Sequence, residues 1–306
     1  MPTSVVALGG NALGNTAAKQ LKKAKIAAKS IVELVKAGHK LVITHGNGPQ
    51  VGIINQIMNT SDFQMPLAES TAMSQGYIGY HLTQCINNEL NDCKIKKQVS
   101  SVLTQVLVDE DDPAFKNPTK PIGNFYTEEE AKLLMEKTGS KYIEDSGRGW
   151  RMVVPSPLPI DICERQTIKT LVDSGVVTIA CGGGGIPVIN KNGTITGIEA
   201  VIDKDFAAAK LAELIEADNL FIFTAVDHVK INFNSPDEKP LKNITSSQAR
   251  NYIAEGHFAP GSMLPKIKAA LSFVESMPNR KAYIGSLQKA SETINGTSGT
   301  SLTLYQ

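Results

Sequence analysis

Short continuous runs of hydrophobic residues alternate with helically spaced ones near the start of the chain. The run at 4–8 predicts a buried strand, and apolar positions three or four residues apart over 16–37 predict a helix that ends at Gly38. A second strand at 40–44 and a helix beginning in "GNGPQVGIINQIM" repeat this order. Alternating strands and helices are typical of a parallel sheet with helices on both faces.

The same order of elements returns in the second half of the chain. The apolar pattern predicts helices at 164–174, 203–217 and 262–275, strands at 176–181, 220–224, 281–285 and 300–305, and a hairpin that turns at Asn192-Gly193. We therefore expect residues 1–306 to form a single α/β domain around a mainly parallel open sheet.

One stretch, 109–150, interrupts the pattern. It is acidic, then rich in proline, then helical, and it ends in "EDSGRGW". About forty residues are too many for an idle loop in a compact domain, so we predict a small protruding subdomain inserted there. A surface insertion without functional consequence is the alternative.

Composition and charge exclude several classes of function. The formal net charge of +1 gives no overall field that would recruit nucleic acid or a membrane, and we expect neither as a partner. The longest apolar runs are about half as long as a membrane span. The four cysteines form no C-x-x-C pair, and no basic export signal precedes the first strand. We therefore expect a cytoplasmic protein with free thiols.

Three glycine-rich loops each follow a predicted strand: "GGNA" at 9–12, "HGNGPQVG" at 45–52 and "CGGGGIP" at 181–187. Loops that follow parallel strands emerge at the same edge of the sheet, where bare backbone amides bind anions well. The three loops together therefore predict a phosphate-binding cradle. A wide turn or a close backbone crossing is the alternative for the four consecutive glycines.

Several common catalytic motifs are absent from the sequence. It has no G-x-x-x-x-G-K-[ST] loop, no H-E-x-x-H, no G-x-S-x-G and no protein-kinase signature, and "GNGPQVG" departs from the dinucleotide fingerprint in spacing. The five histidines are dispersed, so the sequence predicts no metal site made by the protein itself.

Lysines near two predicted helix starts are the candidate phosphate ligands. Lys204 and Asp205 begin one helix, and Lys266 lies in the first turn of another. A lysine there opposes the helix dipole, which favours a role on a bound anion over a structural one. Asp205 is equally compatible with helix capping. Asp227 follows a strand and is either a purine or ribose contact or an ordinary turn residue.

Eight segments, in the same order along nearly the whole chain, resemble the carbamate kinases of the amino-acid kinase family. They are "VVALGGNAL", "THGNGPQVG", "PTKPIGNFY", "GWRMVVPSPLP", "ACGGGGIPV", "GIEAVIDKDFAAAKLAE", "FTAVDHVKINF" and "GHFAPGSMLPKIKAA". The resemblance implies a three-layer αβα sandwich, a homodimer, and reversible phosphoryl transfer between ATP, carried with Mg²⁺, and carbamate. It also implies that 109–150 is a lid, and that the reaction runs toward ATP in arginine or agmatine breakdown.

The same resemblance implies roles for individual residues. Lys204 and Lys266 hold the transferring phosphoryl group and Asp205 orients them, so these three are the predicted catalytic residues. Lys120, in "PTKP", reaches carbamoyl phosphate from the lid. The predicted substrate-binding residues are Gly9, Gly10, Asn11, Gly46, Asn47, Gly48, Lys120, Gly182 and Gly183. The predicted nucleotide-binding residues are Ala225, Asp227, Val229, Gly261 and Met263.

The chain departs from the family pattern at a few positions. Met152 replaces an arginine common in relatives, Leu264 replaces a glycine, and His228 and Lys230 lie near the expected adenine. These differences bear on nucleotide preference rather than on the reaction. Two other functions remain open: a kinase acting on a larger acid, and a non-catalytic nucleotide or anion sensor. The paired lysines argue against the sensor, and the long lid favours carbamate.

Overall fold

The structure is a computed structural model that describes residues 1–9, 17–59, 65–145 and 147–305. Its helices are α1 (Ala17–Lys36), α2 (Gly48–Met58), α3 (Leu67–Asp92), α4 (Glu128–Thr138), α5 (Arg165–Asp173), α6 (Lys204–Leu214), α7 (Ser246–Ala254), α8 (Met263–Glu275) and α9 (Ala290–Ile294). Its strands are β1 (Thr3–Leu8), β2 (Lys40–His45), β3 (Val99–Ser101), β4 (Gln105–Val108), β5 (Lys120–Tyr126), β6 (Tyr142–Glu144), β7 (Trp150–Val154), β8 (Pro159–Ile162), β9 (Val177–Ile179), β10 (Ile186–Lys191), β11 (Thr194–Gly197), β12 (Asn219–Thr224), β13 (Val229–Ile231), β14 (Lys239–Leu241), β15 (Asn243–Thr245), β16 (Lys281–Ser286) and β17 (Thr300–Thr303).

An eight-stranded sheet, in the order β15-β17-β16-β12-β1-β2-β9-β3, forms the centre of the fold. Neighbouring strands from β16 through β3 are parallel, and only the step from β16 to β17 is antiparallel among the described pairs. The predicted mainly parallel sheet is confirmed. Smaller sheets join β11, β10, β4 and β8, and pair β13 with β14.

Helices cover both faces of the central sheet. Alternate residues of β1 enter opposite cores: Val5 and Ala7 pack with α5, α6 and α8, whereas Val6 and Leu8 pack with α1, α3 and α9. All four are fully buried, as expected for a parallel strand that is covered on both faces. The three-layer αβα arrangement that the sequence predicts is therefore confirmed.

Two predicted elements are shorter than expected. The strand predicted at 176–181 is only β9, because Cys181 has a left-handed φ of 49° and leads into a 3₁₀ turn at Gly182–Gly184. The helix predicted at 203–217 ends at Leu214, near the left-handed Glu216 (φ 57°). The hairpin does turn at Asn192-Gly193, where both φ angles are positive, as a type I′ turn requires.

A separate three-stranded sheet, β5-β7-β6, lies where the inserted subdomain is predicted. Together with α4 it occupies 120–154 and is called the small sheet below. It packs on α2, where Ile122 joins a buried cluster with Val51. A Cβ on Gly52 would overlap the backbone of Gly123, so only glycine allows this close approach.

Candidate active site

The first turn of α6 and the residue before it carry three charged side chains that are largely buried: Asp203, Lys204 and Asp205. Asp203 caps the helix, because its Oδ1 accepts a hydrogen bond from the amide of Asp205 at 2.9 Å. The capping residue is therefore Asp203, and the Asp205 side chain is left for other partners. Asp205 is only 3% exposed, and a carboxylate so deeply buried requires charged or hydrogen-bonding partners.

The structure brings the three predicted catalytic residues together. The Lys204 ammonium donates to Oδ1 of Asp205, and the Lys266 ammonium donates to Oδ2 of the same carboxylate at 2.8 Å. Lys266 comes from the first turn of α8, 61 residues along the chain. Helices α6 and α8 pack side by side, so their first turns meet at one edge of the sheet.

Two ammonium groups on one carboxylate leave the trio with a net positive charge. Burial alone would raise the pKa of Asp205, but the charges of Lys204 and Lys266 outweigh it and hold that pKa well below its ordinary value. Burial lowers the pKa of Lys204, as does the nearby charge of Lys266, against the opposing effect of Asp205. An incoming anion would supply the missing negative charge.

A third ammonium group reaches the same place from the small sheet. Lys120, the first residue of β5, has its Nζ 2.5 Å from Oδ2 of Asp203. The side chains of Lys120 and Asp203 are 34% and 15% exposed, so the pair lies at the rim of the buried group. The residue predicted to act from the lid is therefore adjacent to the predicted catalytic residues.

The glycine-rich loops lie at the same sheet edge as α6. Leu8 pairs in register with His45 on one side and Phe223 on the other, so β1, β2 and β12 end side by side. The amide of Gly9 donates to the carbonyl of Phe223 at 3.1 Å, and the amide of Gly46 donates to that of Leu8 at 3.2 Å. Gly10 and Asn11, also predicted to bind substrate, lie outside the described residues.

The third glycine loop is buried and packed tightly against the other parts of the site. A Cβ on Gly183 would overlap the side-chain amide of Asn47, and a Cβ on Gly184 would overlap the carbonyl of Ile202, just before α6. The φ angles of these glycines are +69° and +94°. Close backbone approach therefore explains the absence of side chains. Within the described residues, the amides of Gly184 and Gly185 bond inside the loop, but those of Gly182 and Gly183 have no backbone acceptor.

Polar side chains on the buried face of α3 hold two of these loops, and the sequence pattern did not identify them. Asn47 donates to the hydroxyl of Ser74 at 2.7 Å. Gln75 donates to the carbonyls of Gly182, at 2.9 Å, and Thr104, at 3.2 Å, and accepts from the amide of Thr104 at 2.9 Å. Ser74 and Gln75 are almost fully buried. Polar residues that face inward on a helix are unusual, and this feature could have indicated their role in the site.

His45 completes the lining beneath the third loop. Its Nδ1 lies 3.1 Å from the carbonyl of Gly46, and because a carbonyl only accepts, Nδ1 carries the proton. Nε2 is then the bare nitrogen, and it faces Gly182, where a Cβ would overlap it. Burial lowers the pKa of His45 to about 4, with the Gly46 carbonyl opposing the change, so the imidazole is neutral at pH 7.

The predicted nucleotide-binding residues lie after β12 and at the start of α8. Ala225 is exposed, whereas Val229 is fully buried and its amide donates to Thr300. Gly261 is exposed, and Met263 packs at the edge of the core. The carboxylate of Asp227 is engaged by Lys289 at 2.7 Å. These residues belong to two separate segments, one after β12 and one at the start of α8.

The site's carboxylates are already occupied by protein groups. Both oxygens of Asp203 and of Asp205 have partners, and no cluster of three or more histidine, cysteine or acidic residues suited to a metal occurs in the described ranges. None of the helices in the described residues is long and apolar enough to cross a membrane.

The chain belongs to the amino acid kinase family, whose sequence model matches residues 2–286. It is 55% identical over 291 residues to carbamate kinase 1 of Enterococcus faecium, covering 93% of each chain. It is 51% identical to the carbamate kinase of Clostridium perfringens, covering 97% of this chain and 98% of that one. The solved carbamate kinase of Giardia lamblia bound to AMP-PNP superposes with a TM-score of 0.90 at 44% identity, over 99% and 98% of the two chains. The resemblance found from the motifs is confirmed.

Proposed function

We propose that the chain catalyses reversible phosphoryl transfer between ATP and carbamate, which gives ADP and carbamoyl phosphate. The observation that carries the proposal is the pair of ammonium groups, Lys204 and Lys266, on the two oxygens of buried Asp205. Phosphoryl transfer requires positioning and neutralisation of charge more than a protein nucleophile. The similarity to carbamate kinases of two bacteria and of Giardia lamblia supports carbamate as the acceptor.

In this mechanism the oxygen of carbamate attacks the terminal phosphorus of ATP, and the bond from phosphorus to the ADP oxygen breaks. Lys204 and Lys266 neutralise the charge on the transferring group, and Asp205 stays ionised and keeps both ammonium groups in place. Carbamate brings its own nucleophilic oxygen, so no side chain has to form a covalent intermediate.

The glycine loops bind the acid end of the substrate through their amides. Gly9, Gly46, Asn47 and Gly48 follow β1 and β2, and Gly182 and Gly183 follow β9. Gly10 and Asn11 complete this set. Among the described residues, the amides of Gly182 and Gly183 have no backbone acceptor and are proposed to donate to the substrate.

The nucleotide is proposed to bind across the start of α8 and the segment after β12. Ala225, Asp227 and Val229 would meet the base and ribose, and Gly261 and Met263 the phosphates near Lys266. Mg²⁺ would arrive with the nucleotide and neutralise its phosphate oxygens when bound. The engaged carboxylates of Asp203 and Asp205 fit this arrangement, because such ions are held largely by substrate phosphates.

The inserted segment 109–150 is proposed to act as a lid. Carbamate offers little surface for binding, and carbamoyl phosphate hydrolyses in water, so a cover that excludes water is required. The small sheet lies over α2, and its Lys120 points at the start of α6, where the phosphoryl group would lie. Lys120 would therefore contact carbamoyl phosphate when the lid covers the site.

A homodimer is proposed to form through the outer face of α3 and the edge strand β3. Large apolar side chains are exposed there, with Met73 45%, Tyr80 60% and Leu103 58% accessible. A groove of about 510 Å³ between Tyr80 and β3 would accept side chains of the second copy. Tyr80→Asp should yield monomers in sedimentation velocity, whereas unchanged dimers would refute this face.

We propose a cytoplasmic location and operation toward ATP during arginine breakdown. All four cysteines have free thiols, and Cys85 and Cys181 are buried, which suits a reducing compartment. The direction rests on resemblance to the carbamate kinases.

The proposed reaction is tested by mixing purified protein with ADP, Mg²⁺ and carbamoyl phosphate and measuring ATP formation. The reverse assay offers ATP with carbamate or with acetylated glutamate in parallel. We expect ATP from carbamoyl phosphate and no phosphorylation of the larger acid. Activity on the larger acid alone would show that carbamate is not the substrate. No activity with either acid would refute the proposal that the chain is a kinase.

A further inference from the structure

The carboxylate of Asp203 has two separate partners. Its Oδ1 accepts the amide hydrogen of Asp205 at 2.9 Å and thereby caps α6. Its Oδ2 lies 2.5 Å from the ammonium of Lys120, which belongs to the small sheet. One side chain therefore joins the first turn of the helix that carries Lys204 to the segment proposed as a lid.

The two aspartates at this helix start share one pattern. Asp205 holds Lys204 and Lys266, and Asp203 holds Lys120, so every ammonium of the candidate site is fixed by a carboxylate from the same turn. An ammonium has three N–H donors, so Lys120 keeps donors for a substrate while it is bound to Asp203. In the described part of the chain, Asp203 is the one carboxylate that pairs with Lys120.

We propose that Asp203 is a positioning residue that fixes the Lys120 ammonium beside the transferring phosphoryl group. The inference rests on the proposed function, since it assigns Lys120 to carbamoyl phosphate. A free lysine side chain samples many rotamers. Because the Lys120–Asp203 pair is kept when substrate binds, the lysine is already held in one position before binding. The capping bond ties the position of Lys120 to that of Lys204 and Asp205 on the same helix.

Asp203→Asn separates the two roles of this residue. Asparagine caps helices as well as aspartate does, so the bond to the Asp205 amide is kept while the charge that holds Lys120 is lost. We expect kcat/KM for carbamoyl phosphate to fall about tenfold, chiefly through KM, because a charge-assisted bond is replaced by a weaker neutral one. The KM for ADP and the thermal midpoint should stay close to wild type.

The decisive comparison is with Lys120→Met. If Asp203 acts through Lys120, Asp203→Asn added to Lys120→Met should change kcat/KM by less than about twofold. An equal loss in both backgrounds would show that Asp203 acts through helix α6 alone and would overturn the proposal. A lower KM in Asp203→Asn would also overturn it, because Asp203 would then compete with substrate for Lys120.

A readout without turnover separates this inference from the proposed function. Hydrogen exchange of the β5 amides in the substrate-free protein should be faster in Asp203→Asn than in wild type. Glu128→Gln is the matched control, because it neutralises the exposed Glu128–Lys132 pair on α4, and it should change neither exchange nor KM. If wild type forms no ATP, the proposed function fails, and unchanged β5 exchange would separately overturn the role of Asp203. Should Asp203→Asn fold poorly, Asp203→Ser caps the helix without reaching Lys120 and must show the same exchange.

Discussion

The candidate site has two halves that are built in opposite ways. The cationic half, at the starts of α6 and α8, consists of long charged side chains joined through Asp205. The glycine half, after β2 and β9, consists of backbone packed so closely that Gly183 has no room for a methyl group. The first half acts through charge and the second through shape.

This difference predicts different responses to substitution. A lysine of the cationic half can be shortened without disturbing the backbone, so activity should fall much further than stability. The glycine half has no side chain to remove, and any added atom displaces a neighbour, so stability and substrate binding should fall together.

Lys204→Ala and Lys266→Ala should each reduce kcat by at least about 100-fold, because cationic groups on a transferring phosphoryl group contribute about 10³–10⁵ in rate. Each single variant leaves one lysine on Asp205, so the free energy of unfolding should change little. The double variant leaves a buried carboxylate unpaired and should lose roughly 3–5 kcal/mol. Steady-state kinetics and urea unfolding measure the two effects.

Lys210→Ala is the matched control on the same helix. Lys210 bonds Glu213 at 2.7 Å in an i,i+3 pair, which contributes only about 0.5 kcal/mol or less, so its replacement by alanine should leave kcat and stability nearly unchanged.

Lys204→Arg should restore little activity, since a planar guanidinium does not replace a compact ammonium. Near-normal kcat in both lysine-to-alanine variants would mean that the cationic half has no catalytic role.

Gly183→Ala should weaken folding and substrate binding together. Its φ of +69° costs an alanine about 1–2 kcal/mol, and the new Cβ would also push Asn47 off Ser74. Gly193→Ala is the control, because its φ is +89° in the hairpin turn and nothing lies within 4 Å of the added atom. Both alanines carry the cost of a positive φ, so the difference between their losses of stability should come from the overlap with Asn47 alone. Urea unfolding and KM for carbamoyl phosphate measure these effects. Equal losses would show that Gly183 is not closely packed.

Gln75→Leu should reduce stability by about 1–3 kcal/mol, because the backbone groups of Thr104 and Gly182 lose their buried partner. KM for the carbamoyl substrate should rise with it, since Gln75 holds the third glycine loop. Asn88→Leu, at an exposed position of the same helix, is the control and should be nearly neutral. A loss of stability without a change in KM would make Gln75 purely structural.

Helices α1 and α3 show how much of the molecule the sequence could reveal. Both pack on the same face of the sheet. The buried positions of α1, such as Ala24, Ile31 and Val35, are apolar at helical spacing, and the predicted span of 16–37 agrees closely with the observed Ala17–Lys36. Helix α3 was not predicted, because four polar residues, Ser70, Thr71, Ser74 and Gln75, interrupt the apolar positions of the buried face in its first half. Polar side chains that serve the site remove the pattern on which the prediction depends.

The site itself was predictable only in part, for a related reason. The motifs identified Lys204, Asp205 and Lys266, but the bond between residues 61 apart depends on how α6 packs against α8. Asp203 has the sequence position of an ordinary helix cap, and its second partner, Lys120, comes from a distant strand. Long-range pairs of this kind have no local signature.

The smallest expected effect concerns His45 beneath the glycine half. Its folded pKa of about 4 lies below the unfolded value of about 6.5, so the unfolded chain binds the extra proton first as pH falls. The contribution of His45 to the free energy of unfolding is therefore complete above pH 6.5 and is lost as pH falls toward 4. Between pH 7 and 5.5 this contribution should fall by about 1 kcal/mol. His45→Gln should remove that slope, measured as the difference in urea unfolding between the two pH values. Burial also lowers the pKa of His39, but His39 is present in both proteins, so the subtraction cancels its contribution. An unchanged slope in His45→Gln would mean that the imidazole is solvated, and that the close packing of the glycine half does not extend to it.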